Sequence, residues 1–199
     1  MRAGRITNAM REPSSPQIAV FPTELGWTAI AGHAEVLRQL SFGHADPSAA
    51  RRGLADEFQA CEPRDTWFPR LVSRLKDYAM GKPVSFDDIE LAIDDYSPFQ
   101  RRVLERCLRI PYGQTMTYGE LAAAVGRPRA ARAVGTTMAS NRIALVIPCH
   151  RVVRAGGWVG SYSAGEGTRL KLRLLEMESA AERGDRPKKK YRALAAIAG

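Results

Sequence analysis

The spacing of apolar and polar positions changes character near the middle of the chain. Before Ser97 the apolar runs are short. "IAVF" (18–21) and "GWTAIAG" (26–32) flank the turn-like "PTEL", which predicts a hairpin or a strand with an extended turn, and "AEVLRQLSF" (34–42) continues that sheet. "PSAARRGLADEF" (47–58) and "WFPRLVSRLKDYAMG" (67–81) predict helices, the second stopped by Gly81 with Pro83 beyond. This half carries no local chemical motif. His33 and His44 fall near its turns and are expected at the surface.

From Ser97 the period becomes helical. "SPFQ" holds an N-cap serine, Pro98 at the first helical position and Gln100 placed to complete a capping box. Phe99, Val103, Leu104, Cys107 and Leu108 then share one face, which puts Cys107 in the core. Thr117 and Glu120 form a second capping box at the head of "YGELAAAV", and Gly126 is suited to close that helix. Pro128 is expected to open the next helix, "PRAARAVGTTMAS", after a very short connection. Such a pair is either a packing unit or a DNA-reading helix-turn-helix. The exposed start of its second helix carries Arg129 and Arg132 around the small Ala130 and Ala131, a surface that suits close approach to a phosphate backbone. "RIALVI" (142–147) is too short for a helix and predicts a buried strand ended by Pro148. "TRLKLRLLEMES" (168–179) predicts a final helix.

The fold class expected is therefore an α/β N-terminal domain, a small β-sheet with helices. A mainly α C-terminal domain follows, with a helix-turn-helix and a short strand leading to Cys149. Residues 1–16 are assigned to a disordered leader, 17–95 to the first domain, 96–182 to the second and 183–199 to a disordered basic tail. The chain has 199 residues, of which 45% are hydrophobic, enough for two small cores. No segment is apolar enough to span a bilayer, and no membrane association is expected. The three cysteines, Cys61, Cys107 and Cys149, are widely spaced, which suits a reducing, intracellular compartment: cytoplasmic in a prokaryote, nuclear in a eukaryote. The three histidines form no ligand cluster with them, so no metal site is expected.

Charge divides the chain again. Residues 1–98 hold 11 basic and 14 acidic side chains, whereas residues 99–199 hold 19 and 7. Without the residues from Arg183 onward, the second half is still +7. A basic half of this kind points to a polyanionic partner, most often nucleic acid.

The chemistry concentrates in "NRIALVIPCHRVV" (141–153), where an apolar run stops at Pro148 and Cys149, His150 and Arg151 follow. Cys149 is either a buried strand end or a nucleophile. An ordinary thiol with pKa ~8.5 is only a few per cent thiolate at neutral pH; a shift toward ~5 raises the reactive fraction roughly thirtyfold, about 2 kcal/mol. Neighbouring residues point in different directions, so His150 would reach the thiol through a water. It would also need a third group to orient it, either Glu176 or Glu178.

The stretch from "PFQRRVLERCLRIPYGQ" through "TYGELAAAVGRPRAARAVGTTMASNRIALVIPCHRVV" resembles the C-terminal domain of the O6-alkylguanine-DNA alkyltransferases, the methylated-DNA–protein-cysteine methyltransferases. The likeness runs from about Ser97 to Ser179, with "IPCHRVV" as its hallmark. It implies a monomer that binds duplex DNA containing O6-alkylguanine, flips the damaged base and takes the alkyl group onto a cysteine, once and with no cofactor, with O4-alkylthymine left open as a further substrate. On this resemblance Cys149 is the acceptor, His150 removes its proton through water, and Glu178 stands behind the histidine. Asn141 is the hinge to the active-site turn, and Tyr118 helps turn the nucleotide. Arg132 enters the base stack from a helix that presents Ala130, Ala131 and Arg129 to DNA, and Arg151 joins that basic surface. Met138, Val152, Tyr162 and Ser163 form the base pocket. Arg142 and Ala144 stand where relatives carry proline, and the loop "SAGEGTRLK" is two residues longer, with Glu176 as the alternative partner of His150. The rival reading is a non-catalytic protein that binds alkylated bases and flags them.

Overall fold

The computed structural model describes residues 15–183 and 192–193. Residues 1–14 of the leader assigned to 1–16, and most of the basic tail, lie outside the described residues, while Pro16 belongs to a strand and not to a leader. Two compact units emerge. One is formed by the chain up to Arg101 together with Arg142–Val146, the other by Arg102–Asn141 and the chain from Ile147 onward.

In the first unit, β1 (Pro16–Thr23), β2 (Gly26–His33) and β3 (Val36–His44) make an antiparallel meander. The short β4 (Glu90–Leu91) joins β3 in parallel, giving the order β1-β2-β3-β4. The expected hairpin is thus present, with the turn at Glu24 and Leu25. Ile18, Ala29 and Ala31 point from the strands to one face and pack with Ala50, Leu54 and Phe58 from the helices laid over it. The expected helix over 47–58 is two short helices, α1 (Pro47–Arg52) and α2 (Asp56–Gln59). Gly53 caps the first of them, and a Cβ there would stand 2.0 Å from the Ser41 hydroxyl, so the missing side chain lets the chain lie this close to β3. α3 (Pro69–Ala79) buries Leu71, Leu75 and Tyr78 and is closed by Gly81 in the left-handed conformation. His33 and His44 are half-buried, the first against the Phe58 ring and the second 2.7 Å from the Ser41 hydroxyl.

The segment 142–147 differs from the expected strand, and its first five residues belong to the first unit. The Leu40 amide donates to the Arg142 carbonyl and Ile143 bridges Leu40, but Leu145 turns the chain with φ of 70°, so no continuous ladder forms. Arg142 is held in place by its neighbours. Its guanidinium meets Asp95 at 2.5 Å, its backbone amide donates to the Tyr96 hydroxyl at 3.1 Å, and its cation lies 4.8 Å from the Tyr96 ring centre.

α4 (Pro98–Leu108) starts from the expected capping box, in which the Ser97 amide and the Gln100 side chain are 3.0 Å apart and the Gln100 amide donates to the Ser97 hydroxyl at 3.3 Å. Most of this helix lies in the second unit, where Cys107 is fully buried as expected. β5 (Met116–Thr117) leads into α5 (Tyr118–Ala124), capped by the predicted Thr117–Glu120 box and ended at Gly126. α6 (Ala131–Ala139) packs on α5 as a helix-turn-helix, but it opens three residues later than expected. Pro128 and Arg129 fold a turn closed by the Ala130 amide on the Arg127 carbonyl, and the first helical bond comes from Val134 to Ala130. Arg129 and Ala130 therefore sit in the connection, ahead of the helix.

β6 (Val152–Val153) pairs in parallel with β5, which sets the head of α5 beside the turn that carries Cys149. β7 (Trp158–Val159) and α7 (Thr168–Arg183) follow, with Val153, Val159 and Leu175 packed between them. β8 (Arg192–Ala193), inside the stretch assigned to a disordered tail, pairs with β7. No helix among the described residues is long and apolar enough to cross a membrane.

Candidate active site

After Pro148 the chain makes one 3₁₀ turn, Cys149–Arg151, closed by the Arg151 amide on the Pro148 carbonyl at 2.9 Å. The Asn141 side-chain amide, at the end of α6, donates to the Ile147 carbonyl at 3.0 Å and so fixes the approach to this turn. Cys149 is buried, and burial pushes its thiol pKa up. The Asn141 amide, the cation of Lys171 and the Tyr162 hydroxyl act in the opposite direction. Burial thus works against a preformed thiolate, and these three groups work for it.

Behind the turn lies a closed charge network. His150 is fully buried, and its Nε2 stands 2.8 Å from Glu178 Oε1. Glu178 also accepts from the Arg151 guanidinium at 2.9 Å and from the Gly113 amide at 3.1 Å. Burial works against charge on Glu178, but His150 and Arg151 hold its carboxyl well below the usual carboxylate range. Burial likewise lowers the His150 pKa against the pull of Glu178, leaving a neutral imidazole ready to accept a proton. Between the two acidic candidates on α7, the geometry selects Glu178.

Arg151 corrects an expectation. It was assigned to the DNA surface, yet it is only 8% exposed. Its guanidinium is engaged with Glu178, with the Ile110 carbonyl at 2.7 Å, and with the face of Tyr112. Its work is internal.

On the other side of Cys149 opens a cavity of about 460 Å³. Tyr118, Ala131, Arg132, Met138, Tyr162 and Ser163 line it, six of the residues singled out from the sequence. His150, Glu178 and Arg151 lie behind Cys149, while Arg129 and Ala130 stand outside the cavity, in the α5–α6 connection. The Tyr162 hydroxyl is buried without a formed hydrogen bond, yet it lies close enough to the Cys149 thiol for each to shift the other.

Lys171 is the residue that sequence reasoning missed. It is 1% exposed, its Nζ donates to the Val152 carbonyl at 2.6 Å, and its ammonium lies 5.7 Å and 5.9 Å from the ring centres of Tyr118 and Tyr162. Burial lowers its pKa to about 8, while the Cys149 and Cys107 thiols favour its charged form. The available signal was periodicity, since Lys171 lies seven residues before Glu178, on the α7 face that also carries Leu174 and Leu175. Gly135, Gly160 and Arg154, also on the cavity wall, were missed as well. Among the described residues no group of three or more His, Cys, Asp or Glu side chains is placed to hold a metal ion.

Known proteins resemble this chain in sequence and in fold. Residues 98–180 match the 6-O-methylguanine DNA methyltransferase, DNA binding domain family. The methylated-DNA–protein-cysteine methyltransferase of Mycobacterium leprae is 41% identical over 154 residues, covering 77% of this chain and 87% of the relative. The crystal structure of Mycobacterium tuberculosis OGT in complex with DNA superposes with a TM-score of 0.69 at 35% identity, over 82% of this chain and 93% of that one. The O6-methylguanine-DNA methyltransferase of Pyrococcus kodakaraensis superposes with a TM-score of 0.58 at 26% identity, over 82% and 98%.

Proposed function

Since this chain belongs to the methylated-DNA–protein-cysteine methyltransferase family, we infer that it repairs duplex DNA by moving the alkyl group of O6-alkylguanine onto Cys149, once per molecule. The observation that carries this reading is the placement of Cys149, with a base-sized cavity on one side and the buried His150–Glu178 pair on the other.

The chemistry follows from the two faces of the turn. A flipped base entering the cavity brings its O6-alkyl carbon to the sulfur. His150, neutral and oriented by Glu178, takes the thiol proton through an intervening water, and Glu178 stabilises the imidazolium that results. Lys171 supplies a cation beside the developing thiolate. Sulfur then bonds to the alkyl carbon as the carbon–O6 bond breaks, the electron pair stays on O6, and guanine regains a proton. The Ser163 backbone amide and the Tyr118 hydroxyl assist that departure. The thioether has no low-energy route back, so the protein is consumed.

DNA binding falls to α6 and the turn before it. Ala130 and Ala131 allow close approach, Arg129 meets phosphate, and Arg132, exposed at the head of the helix and on the cavity rim, fills the stack vacated by the base. Extrusion costs a few kcal/mol, which these contacts and the cavity offset. Met138 lines the apolar wall, and the closing loop brings Tyr162 and Ser163 over the base. The Val152 carbonyl, already an acceptor for Lys171, has a second lone pair for the exocyclic amine. Asn141 ties α6 to the active-site turn, and the protein acts as a monomer.

The test is transfer of tritium from O6-[methyl-³H]guanine in a duplex to the protein. Label bound to the chain and saturating at one per molecule, and lost in Cys149→Ser, is the expected result. Label released continuously as methanol would overturn the reading.

A further inference from the structure

The stretch Arg154–Val159 has no part in the repair chemistry inferred above, yet it stands at the rim of the cavity. Arg154 is exposed and also belongs to the cavity lining, whose charged side chains, Arg132, Arg154 and Lys171, are all cations. The Arg154 amide donates to the Trp158 carbonyl at 2.8 Å, and the Gly157 amide donates to the Arg154 carbonyl at 3.2 Å. Residues 154–158 therefore form a closed turn that sets Arg154 beside Trp158.

Trp158 is the unusual member of this turn. It and Met80 are the large apolar side chains left exposed among the described residues, and Trp158, at 36% exposed, is the one in the second unit. β7 fixes the face on which it stands. Val159 is buried and packs with Val153 and Leu175. Side chains alternate along an extended strand, so Trp158 and Gly160 belong to the opposite face. A Cβ on Gly160 would stand 3.0 Å from the Tyr118 hydroxyl and 3.7 Å from Arg154 Nε, which identifies that face as the cavity side. The indole is braced there. A Cβ on Gly156 would meet its Cδ1 at 3.4 Å and its Nε1 at 3.6 Å, so the ring lies along the backbone of the turn. On β8, Arg192 holds the register position opposite Trp158. The backbone thus places two arginine positions, 154 and 192, next to one exposed indole.

We propose that Trp158 and Arg154 form a second DNA-contacting surface, separate from α6, against which the sugar–phosphate backbone of the lesion-bearing strand lies. The inference rests on the repair reading given above and adds a contact to that same site. A deoxyribose lays its apolar face on the indole and takes the exposed ring out of water, while an adjoining phosphate meets the Arg154 guanidinium. One indole set among cations fits a polyanion with small apolar segments. A protein partner, or a second copy of this chain, would need a far wider apolar area than a single ring. Contacts of this kind hold the strand beside the cavity and read no base sequence.

The experiment separates binding from transfer on one duplex containing O6-methylguanine. Kd is measured in a Cys149→Ser background, where no transfer occurs, and the single-turnover rate at saturating DNA is measured with Cys149 intact. Trp158→Ala should raise Kd roughly fivefold and leave the saturating rate within about twofold of the parent's. Trp158→Phe should keep most of the affinity, because a ring remains. Arg154→Gln should reduce the slope of log Kd against log salt by about one. An unchanged Kd in Trp158→Ala overturns the proposal. So does a loss confined to the saturating rate, which would make the ring a brace for the 160–163 segment. A parent that binds the duplex but transfers nothing would sink the repair reading and leave this one to the Kd of Trp158→Ala, whereas a parent that does not bind DNA sinks both.

Discussion

Glu178 and His150 face each other at 2.8 Å in a site where neither side chain is more than 1% exposed. A carboxylate placed there persists only because it is matched on every side, by the imidazole, by the Arg151 guanidinium and by the Gly113 amide. The same residue therefore supports the fold and holds His150, the group proposed above to take the thiol proton.

Removing that carboxylate should cost twice. Glu178→Ala leaves Arg151 buried without its counter-charge, a loss on the order of 3–5 kcal/mol in urea unfolding. Glu178→Gln keeps much of the hydrogen bonding and should fold, yet transfer should slow by about tenfold or more, because the imidazolium is no longer stabilised. A Glu178→Gln protein with the parent rate would remove Glu178 from the mechanism.

Acid should destabilise the protein in a definite window. His150 has a folded pKa below its ordinary 6.5, so the unfolded chain binds more protons and stability falls as pH drops through that value. Glu178 is held low in the folded state, so its contribution is present above the ordinary carboxylate pKa of 4.5 and is lost progressively below it. Urea midpoints measured from pH 7.5 down to pH 4 should decline throughout, with the first part of the decline absent in His150→Gln. A flat profile would contradict both shifts.

Lys171 gives the reaction a signature at the alkaline end. With a pKa of about 8 the ammonium is charged at neutral pH and loses its proton above that value. Lys171→Met should slow transfer about tenfold at pH 7, equivalent to about 1.4 kcal/mol. The gap between the two proteins should narrow above pH 8, where the parent has lost the same charge. Single-turnover rates across pH 6.5–9.5 check this, and a gap constant with pH would reduce Lys171 to a packing role.

Gly160 limits the cavity by having no side chain. In Gly160→Ala the new Cβ would stand 3.0 Å from the Tyr118 hydroxyl, tight enough to displace it. Transfer from O6-benzylguanine should suffer more than transfer from O6-methylguanine, by about tenfold in the ratio of rates, on the order of 1.4 kcal/mol. Equal losses on both would show that the wall does not discriminate by size.

Arg142 is held by Asp95 and Tyr96 within the first unit. Its ion pair with Asp95 and its stacking on Tyr96 are partly exposed, so each is worth about 1 kcal/mol or less. Arg142→Ala should lower stability by roughly 1–2 kcal/mol, and the loss should be non-additive with Tyr96→Phe, because both remove contacts from one cluster. Strict additivity of the two would separate them.

Legibility in the sequence tracked the range of the forces involved. Both capping boxes were legible because cap and partner are three residues apart and need nothing beyond the local chain. The Cys149–His150 pair was legible because the residues are adjacent. Glu176 and Glu178 were left undecided, since only the docking of α7 selects between them. Lys171 and Arg151 were misjudged or missed for the same reason. Each looks like one more member of a basic surface until a partner distant in sequence buries it. The segment 142–147 carries the residues of a strand, but Leu145 turns the chain before a ladder forms. Pro128 carries the signature of a first helical residue and instead opens a turn closed by Ala130.

The most direct test of the central claim is peptide mass spectrometry after incubation with duplex DNA containing O6-methylguanine. The tryptic peptide "IALVIPCHR", residues 143–151, should gain the mass of one methylene, on Cys149 alone and in proportion to lesion added until every chain is used. An unmodified peptide from a protein that still binds the lesion tightly would contradict the account and leave a protein that recognises alkylated bases without repairing them.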